Sequence, residues 1–183
     1  HHNSASFGAA PYLIETQNHG TILMDSPKFS KRAVETVEQI TGPEGPSYMV
    51  LSHVDDTADH GRWHEHYPNM KRVFHSGDLG RPNWIGDTAL EDVELLQSLR
   101  SDGSDLRAMT LEGAPVPPEE YSNHEVLILH TPGHSPGSIT LWKRPTEGSK
   151  QDGVIFTGDT YSYTTREGGH MTAFPRYGNN HPQ

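Results

Sequence analysis

Apolar positions in this chain come in short runs, and the spacing within the runs changes along the sequence. Pro11–Glu15 and Thr21–Asp25 are strand-length runs joined by Gln17-Asn18-His19-Gly20, whose composition predicts a β-hairpin. From Ser30 to Thr41 the spacing becomes helical: Ala33, Val37 and Ile40 form one stripe, and Gly42 and Pro43 stop it. Tyr48-Met49-Val50-Leu51 is an unbroken apolar run that reads as a buried strand. Asp56 or Thr57 then offers a short side-chain oxygen to cap a helix, with Asp56, His60, Trp63 and Tyr67 on one face until Pro68 ends it. Arg72–His75 is the next strand. The order so far is β-β-α-β-α-β, which suits a layered α/β fold.

The middle of the chain is harder to read. Thr88-Ala89-Leu90-Glu91 has capping-box form, which would put Ala89, Val93, Leu96 and Arg100 on one helix face. The letters from Asp92 to Gln97 read equally as a strand. Ser101 to Asp105 is a turn and Pro115 to Glu120 a loop. Two further strand-like runs, Glu125–His130 and Ile139–Lys143, flank a glycine/proline turn, and Val154–Asp159 is a short strand ending on a carboxylate.

The polar residues add chemistry to this outline. Between His53 and His66 the sequence holds His53, Asp55, Asp56, Asp59, His60, His64 and His66. Imidazoles and carboxylates at that density are costly unless solvated, paired or bound to a cation. The segment begins at the C-terminal tip of a strand, where open α/β sheets place ligand sites. His134 stands in the turn Thr131-Pro132-Gly133-His134-Ser135-Pro136-Gly137-Ser138, and Asp159 ends Thr157-Gly158-Asp159.

With these pieces the chain resembles the metallo-β-lactamase fold superfamily, from about Ser6 to Gly178. That family carries a strand-end His-x-His-x-Asp-His motif, then a Pro-Gly-His-(Ser/Thr)-x-Gly-Ser turn, then a strand ending Thr-Gly-Asp. The last two are matched letter for letter and in order. The first is altered to His53-x-Asp55-Asp56-x-x-Asp59-His60, the form of one branch of the superfamily. Anchoring on His53 puts Asp55 where the second histidine stands. Anchoring on Asp59-His60 puts Asp55 and Thr57 at the histidine positions. A third register makes Asp55 and Asp56 the Asp-His pair.

The resemblance implies an α/β fold of four layers, an αβ/βα sandwich, with its N-terminal edge missing or short. It also implies a metal site of His53, Asp55, Asp56, Asp59, His60, His134 and Asp159 for one divalent ion, Zn²⁺, Fe or Mn²⁺, per chain. A metal-bound hydroxide would attack a small ester, thioester, lactone or phosphoester, with Asp59 as the catalytic aspartate that orients or deprotonates it. The acidic residue at Asp25 lies beside the metal site in such proteins, and its competing role is to cap a turn. The family's last histidine lies in a further Pro-Gly-His turn, which is absent. His170 and His181 are candidates in other surroundings. Two alternatives stay open: a metal-poor, non-hydrolytic binding or structural module on the same fold, and a non-haem iron redox protein. His64 and His66 read as solvated surface residues, and His75 and His130 as structural. Trp84, with Arg81 and Asn83, either rims a substrate pocket or covers the core.

Composition narrows the partners. The 183 residues fit a single domain over 7–183, with His1-His2 resembling the remnant of a purification tag and residues 1–6 left outside the fold. A formal net charge of -10 argues against a nucleic-acid footprint and a polybasic membrane anchor. The expected partner is a small-molecule substrate, with a homodimer open. The absence of cysteine excludes disulfides, thiolate ligands and thiol nucleophiles. No apolar run approaches the roughly 20 residues of a membrane span, and the compartment stays open.

Overall fold

The computed structural model describes residues 10–98, 108–145, 152–164 and 170–172. Residues 1–6, Arg100, the Ser101 to Asp105 turn and His181 therefore lie outside the described residues.

The hairpin forms as its pattern predicts: β1 (Tyr12–Glu15) pairs antiparallel with β2 (Thr21–Met24). Helix α1 (Lys31–Thr41) follows, capped by the Ser30 side chain accepting from Ala33 N. Its buried stripe is Ala33, Val34 and Val37, whereas Ile40 is half exposed. Strands β3 (Tyr48–Val50), β4 (Lys71–His75) and β5 (Leu95–Gln97) join parallel to complete a five-stranded sheet of order β1-β2-β3-β4-β5. A second, antiparallel sheet takes β6 (Ala108–Met109), β7 (Val126–His130), β8 (Ile139–Lys143) and β9 (Val154–Phe156) in chain order. A small ribbon pairs β10 (Ser162–Thr164) with β11 (His170–Thr172).

Strand side chains alternate between faces, and that period sorts the core into layers. Leu23, Met49 and Phe74 point to the helical side and pack with Ala33, Val37, Trp63, Tyr67 and Leu90. Their neighbours Ile22, Met24, Val50 and Val73 point the other way and meet Met109, Val126, Ile128, Ile139 and Leu141 of the second sheet. On that sheet's outer face Leu127, Ala108 and Val116 pack with Tyr121 and Trp142. Among the described residues this outer face is covered by the 3-10 turn Pro118–Asn123 rather than by an α-helix. Each fully buried side chain of this size contributes roughly 1.5–3 kcal/mol.

Two expectations change in the middle. The segment after β3 is not one helix from Asp56. Val54–Asp56 is a single 3-10 turn, and helix α2 begins only at His60 and runs to His66. Asp59 sits between them at φ 66, in the left-handed region, and this break turns the chain. Thr88–Leu90 forms a short 3-10 turn, and the strand reading of the following letters is the one adopted, as β5.

Sheet direction positions the site. Met24, Val50 and His75 all end parallel strands at the same edge. Ile139 N donates to Ser52 O at 2.8 Å, stitching the second sheet to the first at that edge.

Candidate metal centre

Four chain segments converge where the parallel strands end. Asp25, just past β2, takes a left-handed φ of 60, and its Oδ1 accepts from Ser52 N at 2.8 Å. That bond fixes the start of the loop carrying His53. His53 is extended and buried, and Ser52 Oγ lies 2.8 Å from its Nδ1. With Nδ1 engaged, Nε2 faces the cluster, as the orienting partner of a ligand histidine requires.

The 3-10 turn then presents Asp55 and Asp56, both buried. Asp55 Oδ2 stands 3.2 Å from His134 Nε2 and 3.7 Å from His53 Nε2. Asp56 Oδ2 stands 4.0 Å from His53 Nδ1. His134 comes from the turn between β7 and β8, where Ser135 N donates to Ser138 Oγ at 2.9 Å. The rings of His53 and His134 meet edge to face, with centroids 4.7 Å apart. Asp159 arrives behind Gly158, whose φ of 53 turns the chain back against Ser52. Asp159 Oδ2 lies 3.7 Å from His53 Nε2 and 3.9 Å from His134 Nε2. Its side chain is 46% exposed, so the cluster opens to solvent on that side.

Sequence reasoning did not single out Asp78, which braces this arrangement. It follows β4 and is fully buried. Its Oδ2 accepts from Val54 N at 3.0 Å and Ser135 Oγ at 2.6 Å, and its Oδ1 from Gly137 N at 2.6 Å. One carboxylate thus ties the His53 loop to the His134 turn. Burial pushes its pKa up, against the hydrogen bonds that lower it. The only signal in the sequence is a carboxylate just beyond a strand end, the same signal that marks Asp25 and Asp159.

Burial and mutual charge shape the titration of the acids in this cluster. Burial raises Asp56 to about 9, with the charges of Asp25 and Asp159 adding to it. Burial likewise raises Asp25 to about 7 against the opposing bonds from Ser52. Three acids held this close bind protons or a metal ion. The donor set fits a metal. His53, Asp55 and His134 form one group and His53, Asp56 and Asp159 another, each with donor atoms within 4.8 Å of one another. Ligands about 2 Å from a shared ion stand roughly 3–4 Å apart, and the imidazole–carboxylate distances here fall in that range.

Asp59 and His60 belong to neither group. The turn at Asp59 sends its Oδ2 to Phe29 N at 3.0 Å and its Oδ1 toward Arg62. His60, buried at the start of α2, has Nε2 3.1 Å from Asp87 Oδ2 and Nδ1 3.2 Å from Arg72 Nη1. His64 and His66 sit in α2, partly exposed, beside Glu94 and Glu38. His75 and His130 stack on each other with centroids 4.1 Å apart, and His130 Nε2 bonds Pro136 O at 2.9 Å. His170 opens β11.

BJP-1, a subclass B3 metallo-β-lactamase of Bradyrhizobium japonicum, matches this structure with a TM-score of 0.50 over 80% of this chain at 20% identity. This chain has the metallo-β-lactamase fold. An N-acyl homoserine lactone hydrolase, with N-hexanoyl-L-homoserine bound at its catalytic metal centre, matches with a TM-score of 0.49 over 79% of this chain at 20% identity. The chain spans 55% and 60% of the lengths of these two metallo-β-lactamase-fold neighbours. No family profile and no curated protein sequence matches it. Among the described residues no helix is long and apolar enough to cross a membrane.

Proposed function

We propose that this chain, as a single domain over residues 7–183, is a metal-dependent hydrolase for a small ester, thioester, lactone or phosphoester. The observation that carries the reading is the convergence of His53, Asp55, His134 and Asp159, from three separate segments, at ligand-to-ligand distances. Both candidate groups share His53, which favours one tightly held ion per chain. Two imidazoles with three carboxylates suit Zn²⁺, Fe or Mn²⁺, and the oxygen-rich share favours the harder ions.

When bound, such an ion would supply a water acidic enough to ionise near neutral pH and a Lewis acid for a carbonyl or phosphoryl oxygen. The chain's own residues supply the rest. His53 Nε2, Asp55 Oδ2 and His134 Nε2 form the buried wall of the site. Asp159, on the open side, is the carboxylate a substrate meets first. Asp56, 4.0 Å from His53 Nδ1, is a further carboxylate donor to the ion. Asp78 and Ser52 keep the wall in place without touching substrate.

One observation favours a second reading. Burial, with the charges of neighbouring carboxylates, raises Asp25 and Asp56 far enough for protons to take the place of a cation, as in a non-hydrolytic binding module. Metal analysis decides between the readings, using protein lacking His1 and His2, whose imidazoles bind metal themselves. About one ion per chain, with ester, lactone or phosphoester turnover lost in His134→Ala, supports the hydrolase. Metal-free protein that takes up neither Mn²⁺ nor Zn²⁺ supports the module.

A further inference from the structure

Asp55 turns its two carboxylate oxygens to different partners. Oδ2 faces the cluster, 3.2 Å from His134 Nε2. Oδ1 accepts from the indole N–H of Trp84 at 2.6 Å. A donor this close to a carboxylate makes a charge-assisted bond, stronger and more directional than a neutral one. Trp84 itself is 46% exposed, yet its N–H points inward to a carboxylate that is 5% exposed.

The segment carrying Trp84 lies outside any helix or strand, so its position needs other support. Asn83 Nδ2 donates to Asp87 O at 2.8 Å, and Asp87 Oδ1 accepts from Ala89 N at 2.9 Å. Asp87 Oδ2 meets His60 Nε2 at 3.1 Å, and His60 Nδ1 meets Arg72 Nη1 at 3.2 Å. Arg72 is pinned in turn by two bonds to Glu94, at 2.7 and 3.1 Å. A polar chain therefore runs from β4 through the buried Arg72 and His60 and the part-exposed Asp87 to the Trp84 segment, and so to Asp55.

We propose that Trp84 is a positioning residue for the cation site. Its indole N–H reserves one oxygen of Asp55 and leaves Oδ2 as a single donor, so that a carboxylate serves as a one-point ligand. The proposal rests on reading the cluster as a metal site. A carboxylate with both oxygens available can close on an ion through both and raise its coordination number. With Oδ1 held by Trp84, that option is removed. His60, outside the ligand groups, acts at one further remove by fixing Asp87.

The test uses the full chain without His1 and His2, loaded with Co²⁺, whose d–d absorption weakens as coordination number rises. Trp84→Phe keeps a ring and removes the N–H. It is expected to weaken the d–d bands and to lower Co²⁺ affinity roughly 10- to 100-fold, the range for loss of a residue that orients a ligand. Trp84→His, which restores an N–H, should recover part of both. Trp84→Phe with the spectrum and affinity of the parent overturns the proposal and leaves the metal reading intact. A parent chain with no Co²⁺ signature overturns both. A second measurement leaves Trp84 unchanged and so does not depend on the Trp84 variants folding. The chain has 3 tryptophans, and the indole N–H resonance of Trp84 should lie downfield and move upfield in Asp55→Asn. A Trp84 resonance unmoved by that change also overturns the proposal.

Discussion

The backbone N–H of Gly137 donates to Asp78 Oδ1 at 2.6 Å, joining the turn that carries His134 to the loop that follows β4. The other oxygen of Asp78 holds Val54 N and Ser135 Oγ. Three donors from two segments therefore share one buried carboxylate. Removing an acceptor strands each donor at a cost of about 1–3 kcal/mol. Asp78→Ala should lower unfolding stability by roughly 3–5 kcal/mol, read by urea denaturation, and should weaken metal binding with it. A loss below about 1 kcal/mol would show that the brace lies elsewhere.

Gly158→Ala tests the close approach behind Asp159. A methyl group there would stand 2.6 Å from Ser52 Oγ, at a φ of 53 that side chains rarely adopt. The left-handed backbone alone costs about 1–2 kcal/mol. The clash adds to that cost or displaces Asp159 from His53. Chemical denaturation should show a loss of at least about 1 kcal/mol, with weaker Mn²⁺ or Zn²⁺ binding by calorimetry.

Asp159→Ala should change sign with metal. In loaded protein it removes a donor and lowers Tm, because an ion that binds only the folded state stabilises it by mass action. In metal-free protein it removes a charge that raises the pKa of both Asp25 and Asp56, so Tm should hold or rise. The measurement is a pair of melting curves with and without added Mn²⁺ or Zn²⁺. The same negative shift in both would argue against a metal role for Asp159.

The pH dependence of metal-free protein follows from the raised carboxyls. Asp25 at about 7 and Asp56 at about 9 bind protons more tightly folded than unfolded, where each titrates near 4. The stability they contribute is complete below pH about 4 and is lost as pH rises through those folded values. His75 acts in the opposite sense. Burial, with the charge of His130 adding to it, lowers it to about 3, so its contribution is present above pH about 6.5 and lost as pH falls toward 3. Between pH 7 and 9 the carboxyl trend governs, and Tm should fall. Saturating metal should flatten the slope, since a cation replaces the protons. A Tm that rises over that range without metal would contradict the burial of Asp56.

The local elements could be read from the sequence where one period dominates. The hairpin, α1, and the β3, β4, β7 and β8 strands follow from alternation and helical spacing together with their turns. The turn from Pro132 to Ser138 and the Thr-Gly-Asp strand end could be read as site-bearing, and two of their glycines, Gly137 and Gly158, mark backbone that no side chain fits: a Cβ at Gly137 would lie 2.6 Å from Asp78 N. What the sequence by itself did not decide was which of the crowded acids and histidines after β3 turn inward. Asp55, Asp56, Asp59 and His60 are alike as letters. Their directions are set by a left-handed residue at Asp59, which no periodicity announces, and by partners far along the chain. Asp78 holds Val54, Trp84 draws Asp55, Phe29 occupies Asp59, and Asp87 with Arg72 occupies His60. Such pairings depend on which strand ends meet at the sheet edge. Local patterning makes the strands, but only the packing of the two sheets brings their ends together.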